Sequence, residues 1–259
     1  MSTRKQRKQN ARPRRRALEA AFSATDRHRR RRARLAAATV MVALGGGAAA
    51  VGSGASSTAH APATPPSRLA PLASLGKLDP ASASASLGPE DVPVPNARRL
   101  AGSMSGSTRA TVDGIQCQGA EQVLFHIHAH LTVSVDGTAR RIPDGLGIPG
   151  GEVSATPVGP YVGAGSCFYW LHTHAADGIV HIESPVQRTY TLGNFFDVWR
   201  QKLTRSEVGL AHGPVVALYN GQVFLGNPRD IPLTKHAQIQ LEVGRPLVAP
   251  VVIRFPAGL

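Results

Sequence analysis

The chain has 259 residues, enough for one or two domains, and carries 29 Lys and Arg against 16 Asp and Glu, a formal net charge of +13. The excess lies in residues 1–34, which hold 14 basic and 2 acidic residues, so the rest of the chain has a net charge of only +1. Because no basic surface follows this tail, the composition argues against a nucleic-acid partner.

An uncharged Ala- and Gly-rich segment follows the basic tail, and we place a membrane anchor or signal-peptide core at residues 35–55. Its apolar part, residues 35–52, is just long enough to cross a bilayer, where about 20 residues are usual. The basic residues on one side predict a cytoplasmic tail and an external remainder. A cleaved signal fits equally, with Ser53, Gly54 and Ala55 as small residues at the cleavage site. Both alternatives predict a domain outside the cytoplasm, either at the cell membrane or secreted.

Residues 56–108 are rich in Ser, Ala and Pro and poor in large apolar side chains. Such a composition buries too little surface to offset the entropy of ordering, which predicts a disordered linker. The folded unit is then expected at residues 109–259.

The two cysteines of the chain, Cys117 and Cys167, lie in this unit. If paired, they close a loop of about 50 residues, which the chain-entropy model values at about 4 kcal/mol. A thiolate metal site is the alternative, but two cysteines so far apart lack metal-ligand spacing. The pair therefore predicts a disulfide, in agreement with an oxidising compartment.

Most of the periodicity in residues 109–259 is typical of β-strands. Apolar and polar residues alternate over residues 123–135 and again over 236–243. The turn pairs Asp136-Gly137 and Asn220-Gly221 indicate hairpins.

One helix is predicted over residues 192–202, capped by Thr191, with apolar residues at helical spacing. The sum of these elements predicts a mainly β domain, an antiparallel sandwich or barrel with one short packed helix.

Three histidines, His126, His128 and His130, alternate along the first predicted strand. Residues two apart on a strand share a face, so their rings point the same way. The apolar face of this strand is complete without them. We therefore expect them to face water or to line a cavity.

A second cluster, His172, His174 and His181, flanks an expected hairpin turn at residues 175–178. Depending on the turn, His181 lies opposite His172 or His174, and either register places all three on one face. Glu183 shares that face. It is a candidate metal ligand, a partner for an imidazole N–H, or a general base.

Imidazole is the commonest protein ligand for borderline metal ions, and three rings on one face can hold one ion with an open position. We therefore predict binding of a divalent transition metal, zinc or copper(II) first, with nickel or iron as alternatives. The predicted domain contains no methionine, which argues against a thioether copper(I) site. The candidate ligands are His126, His128, His130, His172, His174 and His181.

Two other functions fit the same residues. A metal-dependent hydrolase or hydratase would use an open three-histidine site with Glu183 as base. A non-enzymatic domain would instead use the histidines without metal, as a pH-responsive interaction surface.

The chain also resembles a family of uncharacterised bacterial and archaeal extracytoplasmic proteins. The resemblance covers residues 111–259, in the stretches FHIHAHLTV (125–133), YWLHTH (169–174), GIVHIESP (178–185) and YTLGNFFDVW (190–199). It implies the location and the domain limits but no activity. In that pattern an acidic residue follows His-Thr-His; here Ala175 stands there, and Asp177 is the nearest acid. The departure implies weaker binding or lost activity if that acid is a ligand or base.

Overall fold

The computed structural model describes residues 68–81, 84–103 and 109–259. The predicted tail (1–34) and anchor or signal segment (35–55) lie outside the described residues. Where the chain is described, no helix combines the length and apolar character needed to cross a bilayer.

Short strands make up most of the regular structure, and eight of those described form a central sheet. They are β1 (Leu69–Ala70), β5 (Phe125–Val135), β6 (Thr138–Arg140), β10 (Leu171–His172), β11 (Ile179–Ser184), β14 (Val215–Tyr219), β15 (Gln222–Phe224) and β16 (Gln238–Val243).

The other described strands form two-stranded sheets. The pairs are β2 (Ala85–Leu87) with β3 (Pro93–Pro95), β4 (Cys117–Gln118) with β9 (Phe168–Tyr169), β7 (Glu152–Thr156) with β8 (Gly159–Ala164), and β12 (Glu207–Val208) with β13 (Ala211–His212). Single 3-10 turns occur at Leu72–Leu75 and Pro228–Asp230.

The central sheet runs in the order β1-β15-β14-β16-β5-β11-β10, and β6 pairs with the end of β5. Both predicted hairpin turns are confirmed, because Asp136-Gly137 joins β5 to β6 and Asn220-Gly221 joins β14 to β15. The prediction of a purely antiparallel arrangement is wrong, since β16 runs parallel to β5. A tight turn enforces antiparallel pairing, as in the β14–β15 hairpin, but no such turn joins β16 to β5, and β16 enters the sheet between β14 and β5 in the direction of β5.

Strand β5 is buried on both faces. Leu131 and Val133, at 2% and 0% exposure, face the main apolar core, as the alternation predicted. The opposite face is also covered, because His128 and His130 are only 4% and 5% exposed. The histidines of β5 therefore lie inside the protein, with the exception of the more exposed His126.

Helix α1 (Leu192–Trp199) packs its apolar side into the main core. Thr191 caps it as predicted, since its hydroxyl accepts from the backbone N–H of Asn194. The helix ends three residues earlier than predicted because Arg200 adopts a left-handed conformation.

Part of the segment that we predicted as a linker belongs to the fold. Leu69 and Ala70 pair with β15, and Val92 and Leu100 are buried, at 0% and 5% exposure. A short segment can join an existing sheet through backbone hydrogen bonds and bury one or two apolar side chains without a core of its own, which composition alone does not reveal.

The predicted disulfide is confirmed: Cys117 and Cys167 are bonded, and no described cysteine is free. The bond joins the short strands β4 and β9, next to the pairing of Cys117 with Tyr169. It anchors the segment before β5 to the segment before β10. Strands β5 and β10 both contain candidate metal-binding histidines.

Candidate metal centre

The two histidine clusters meet because β11 lies between β5 and β10. His181 lies directly opposite His128 on one side and His172 on the other, and Glu183 lies opposite His126. The pairing of His172 with His181 is one of the two registers that the turn allowed. Directly opposed residues share a face, so these side chains occupy one surface of the sheet.

Ring nitrogens of neighbouring histidines come within hydrogen-bonding distance of one another. Nε2 of His128 lies 3.0 Å from Nε2 of His126 and 3.1 Å from Nδ1 of His181. Nε2 of His172 lies 3.2 Å from Nε2 of His174. Two nitrogens on one tetrahedral ion, with metal–nitrogen bonds of about 2.0–2.1 Å, are about 3.3 Å apart. These spacings therefore suit shared coordination.

Backbone carbonyls orient the rings of His172 and His174. Nδ1 of His172 donates to the carbonyl of Tyr169 at 2.8 Å, and Nδ1 of His174 donates to the carbonyl of Val162 at 2.6 Å. In each neutral ring the proton is therefore on Nδ1, and Nε2 carries a lone pair. Two lone pairs that face each other across 3.2 Å repel unless a cation lies between them.

Burial also keeps these two rings neutral. It lowers the pKa of His174 to about 4, and the pKa of His172 lies well below its usual value for the same reason, with the neighbouring histidines adding to the shift. A proton between Nε2 of His172 and Nε2 of His174 is therefore disfavoured. A metal ion suits the gap better.

His181 has the opposite electrostatic environment. Its Nε2 donates to Oε1 of Glu90 at 2.8 Å, and its Nδ1 lies 3.6 Å from Oε1 of Glu183. Burial disfavours its charge, but the two carboxylates outweigh burial and raise the pKa of His181 to about 9. Burial also opposes ionisation of Glu183, yet its contacts with His126 and His181 hold the pKa of that carboxyl below the usual value.

The ligand atoms in the described residues form three overlapping groups, each with all its atoms within 4.8 Å of one another. The groups are His126, His128, His181 and Glu183; then His172, His174 and His181; and finally Glu121, His172 and Glu183. Most of these side chains are buried, so this part of the fold can hold a metal ion.

His130 is the predicted ligand that lies apart from these groups. Its Nε2 donates to the backbone carbonyl of Asp177 at 2.9 Å, and burial lowers its pKa to about 4. It lines a mainly apolar cavity of about 190 Å³ next to Thr132 and Val251. His130 is therefore part of a cavity wall and is not a member of the three candidate metal-binding groups.

Asp177 also lies outside the three groups. Its Oδ1 accepts from the N–H of Ile179 at 3.0 Å, which stabilises the turn. Burial and the nearby Glu90 carboxylate raise the pKa of Asp177 to about 8.

Sequence reasoning missed three residues around the centre. Glu90 contacts His181 from the segment predicted as linker, Glu121 has its Oε1 3.5 Å from Nε2 of His174, and the ring of Tyr161 stacks on His174 with centroids 5.0 Å apart. No local pattern marks any of them, because each contact joins residues that are 13 or more positions apart in the sequence.

No family model, curated protein or solved structure matches this chain. The resemblance described above stays a prediction.

Proposed function

We propose that this protein binds divalent transition-metal ions through the buried cluster formed by β5, β10 and β11. The ligands would come from His126, His128, His172, His174 and His181, together with Glu183. The single observation that carries the proposal is the facing pair of nitrogens in His172 and His174, each oriented by a backbone carbonyl. Metal-binding histidines are commonly held in this way through their second ring nitrogen.

Zinc or copper(II) suits this donor set best. The donors are imidazoles and carboxylates, both described cysteines are in the disulfide, and the described residues include no methionine. A site without thiolates or thioethers favours Zn²⁺, Cu²⁺, Ni²⁺ or iron over Cu⁺. Affinity for such sites increases from nickel to copper(II) and is lower for zinc, so zinc occupancy depends on supply.

We also propose that the protein acts outside the cytoplasm, anchored by residues 35–52 or released after cleavage. The basic tail before that segment and the disulfide between Cys117 and Cys167 both support this location. An extracytoplasmic metal-binding protein is the function that the site and these signals favour together.

The direct test uses the full chain, purified without a histidine tag. Metal analysis after purification and again after titration with Zn²⁺ or Cu²⁺ should find bound ions. The variant His172→Ala/His174→Ala should bind fewer ions than the wild type. His212→Ala is the matched control and should bind as the unmodified protein does, because the side chain of His212 is 72% exposed, away from the cluster.

Circular dichroism on each variant checks that it is folded. A folded wild-type protein that retains no ion and binds none on titration would overturn the proposal. So would a folded double variant that binds as many ions as the wild type.

A further inference from the structure

The ligand atoms are too many and too widely spread for one ion. His126 and His128 share one group with His181 and Glu183, whereas His172 and His174 share another, and the two pairs are not in a common group. A tetrahedral ion takes four ligands. The cluster therefore offers ligands for a second ion.

His181 occurs in both groups, but its hydrogen bonds indicate which ion it would bind. Its Nε2 is occupied by the bond to Glu90, so Nδ1 is the nitrogen that can bind a metal, after it releases the proton that the ring carries without metal. That nitrogen lies 3.1 Å from Nε2 of His128. The first ion would thus be held by His126, His128 and His181.

Glu183 lies between the two pairs. Its Oε1 is 3.1 Å from Nε2 of His126, on the side of the first ion. A carboxylate oxygen of Glu183 also lies within 4.8 Å of ligand atoms in His172 and Glu121, on the side of the second. Its Oε2 is buried without a hydrogen-bond partner among the described residues, which is costly for a carboxylate oxygen unless a cation contacts it.

We infer that the centre is binuclear, with one ion on the His126/His128/His181 side, a second on the His172/His174 side, and the Glu183 carboxylate bridging them. This inference rests on the proposed metal-binding function. Glu121, with its Oε1 3.5 Å from Nε2 of His174, is a further carboxylate on the side of the second ion. Ions bridged in this way are about 3.5–4 Å apart, as in two-metal sites.

Copper(II) alone is the probe, followed by metal analysis and by electron paramagnetic resonance of the full chain. At saturation we expect two copper ions per chain. Bridged ions couple magnetically, so the signal per ion should fall as the second equivalent binds. In Glu183→Gln, which keeps the size of the side chain but not its bridging charge, the loss of signal should be much smaller.

Two double variants separate the ions. His126→Ala/His128→Ala and His172→Ala/His174→Ala should each retain one copper with the full signal of an isolated ion. His212→Ala should match the wild type in copper content and in spectrum.

The outcomes distinguish the inference from the function on which it rests. Saturation of the wild type at one ion, or two ions whose signals simply add, overturns the binuclear centre while metal binding stands. Failure of the wild type to bind copper overturns the binuclear centre, and failure to bind zinc as well overturns both. The wild-type spectrum decides the question even if a double variant does not fold.

Discussion

Glu90 accepts a hydrogen bond from Nε2 of His181 at 2.8 Å, and its side chain is only 7% exposed. This contact orients the imidazole so that Nδ1 points toward His128. Carboxylates that hold a metal-binding histidine in this manner raise its basicity as well as fixing its orientation. Glu90 is therefore a positioning residue for the centre.

We expect Glu90→Ala to weaken metal affinity about 10- to 100-fold without removing any ligand, the range typical of such partners. Glu90→Gln keeps a hydrogen-bond acceptor and should lose less. Competition with a chromophoric chelator measures both affinities.

The control is Asp91→Asn, because Asp91 is exposed beside Glu90 and Asn tolerates its positive φ of 57°. Wild-type affinity in Glu90→Ala would show that His181 needs no such partner.

For individual residues, the sequence predicts which side chains share a face of one strand or hairpin. It does not predict which side chains from separate parts of the chain come into contact. Alternation places His126 and His128 on one face, and a hairpin places His172 beside His181. Nothing in the sequence pairs Glu90 with His181, because that contact depends on tertiary packing across 91 residues. The hydrogen bond from His130 to the carbonyl of Asp177, which lies apart from the cluster, is likewise not predicted by any sequence pattern.

Among the elements, β10 is held close to the loop at Gly147. Gly147 has a φ of +72°, and a Cβ there would lie 2.3 Å from the carbonyl oxygen of Leu171 and 2.9 Å from Cβ of His172. Only glycine allows this approach at this backbone conformation. The close contact sets the position of a strand that carries a candidate ligand.

An alanine in the left-handed conformation costs about 1–2 kcal/mol. Gly147→Ala should therefore reduce the free energy of unfolding by more than this amount, because a steric clash adds to the backbone strain. Denaturant unfolding of the full chain measures the loss. Gly221→Ala is the control for strain alone, since Gly221 has a φ of +78° with nothing within 4 Å of its Cβ position. Equal losses in the two variants would refute a steric role for Gly147.

The elements best predicted were those with local signals. The two hairpins have turn dipeptides, and α1 has a cap and helical spacing, so local physics determines them. The parallel pairing of β16 with β5 has no local signal, because it depends on how distant segments return to the sheet. Strands of two or three residues, such as β1 and β2, are too short for any periodicity.

For the whole molecule, the disulfide between Cys117 and Cys167 restrains a loop that contains the β5 histidines. Cys117→Ser/Cys167→Ser should lower the free energy of unfolding by about 2–5 kcal/mol, the usual cost of removing a native bridge. Denaturant unfolding with and without reductant checks this: reduction should destabilise the wild type toward the double variant and leave the variant unchanged. Equal stability of oxidised wild type and variant would contradict the prediction.

The parallel pairing also bears on the order in which the protein can fold. Strand β5 obtains one of its neighbours, β16, more than a hundred residues later in the chain. A chain that emerges N-terminus first must therefore wait for residues 238–243 before the sheet closes around β5. Contacts so distant in sequence slow folding, and until they form, the apolar side chains of Leu131 and Val133 stay uncovered on an unpaired strand that other proteins can bind.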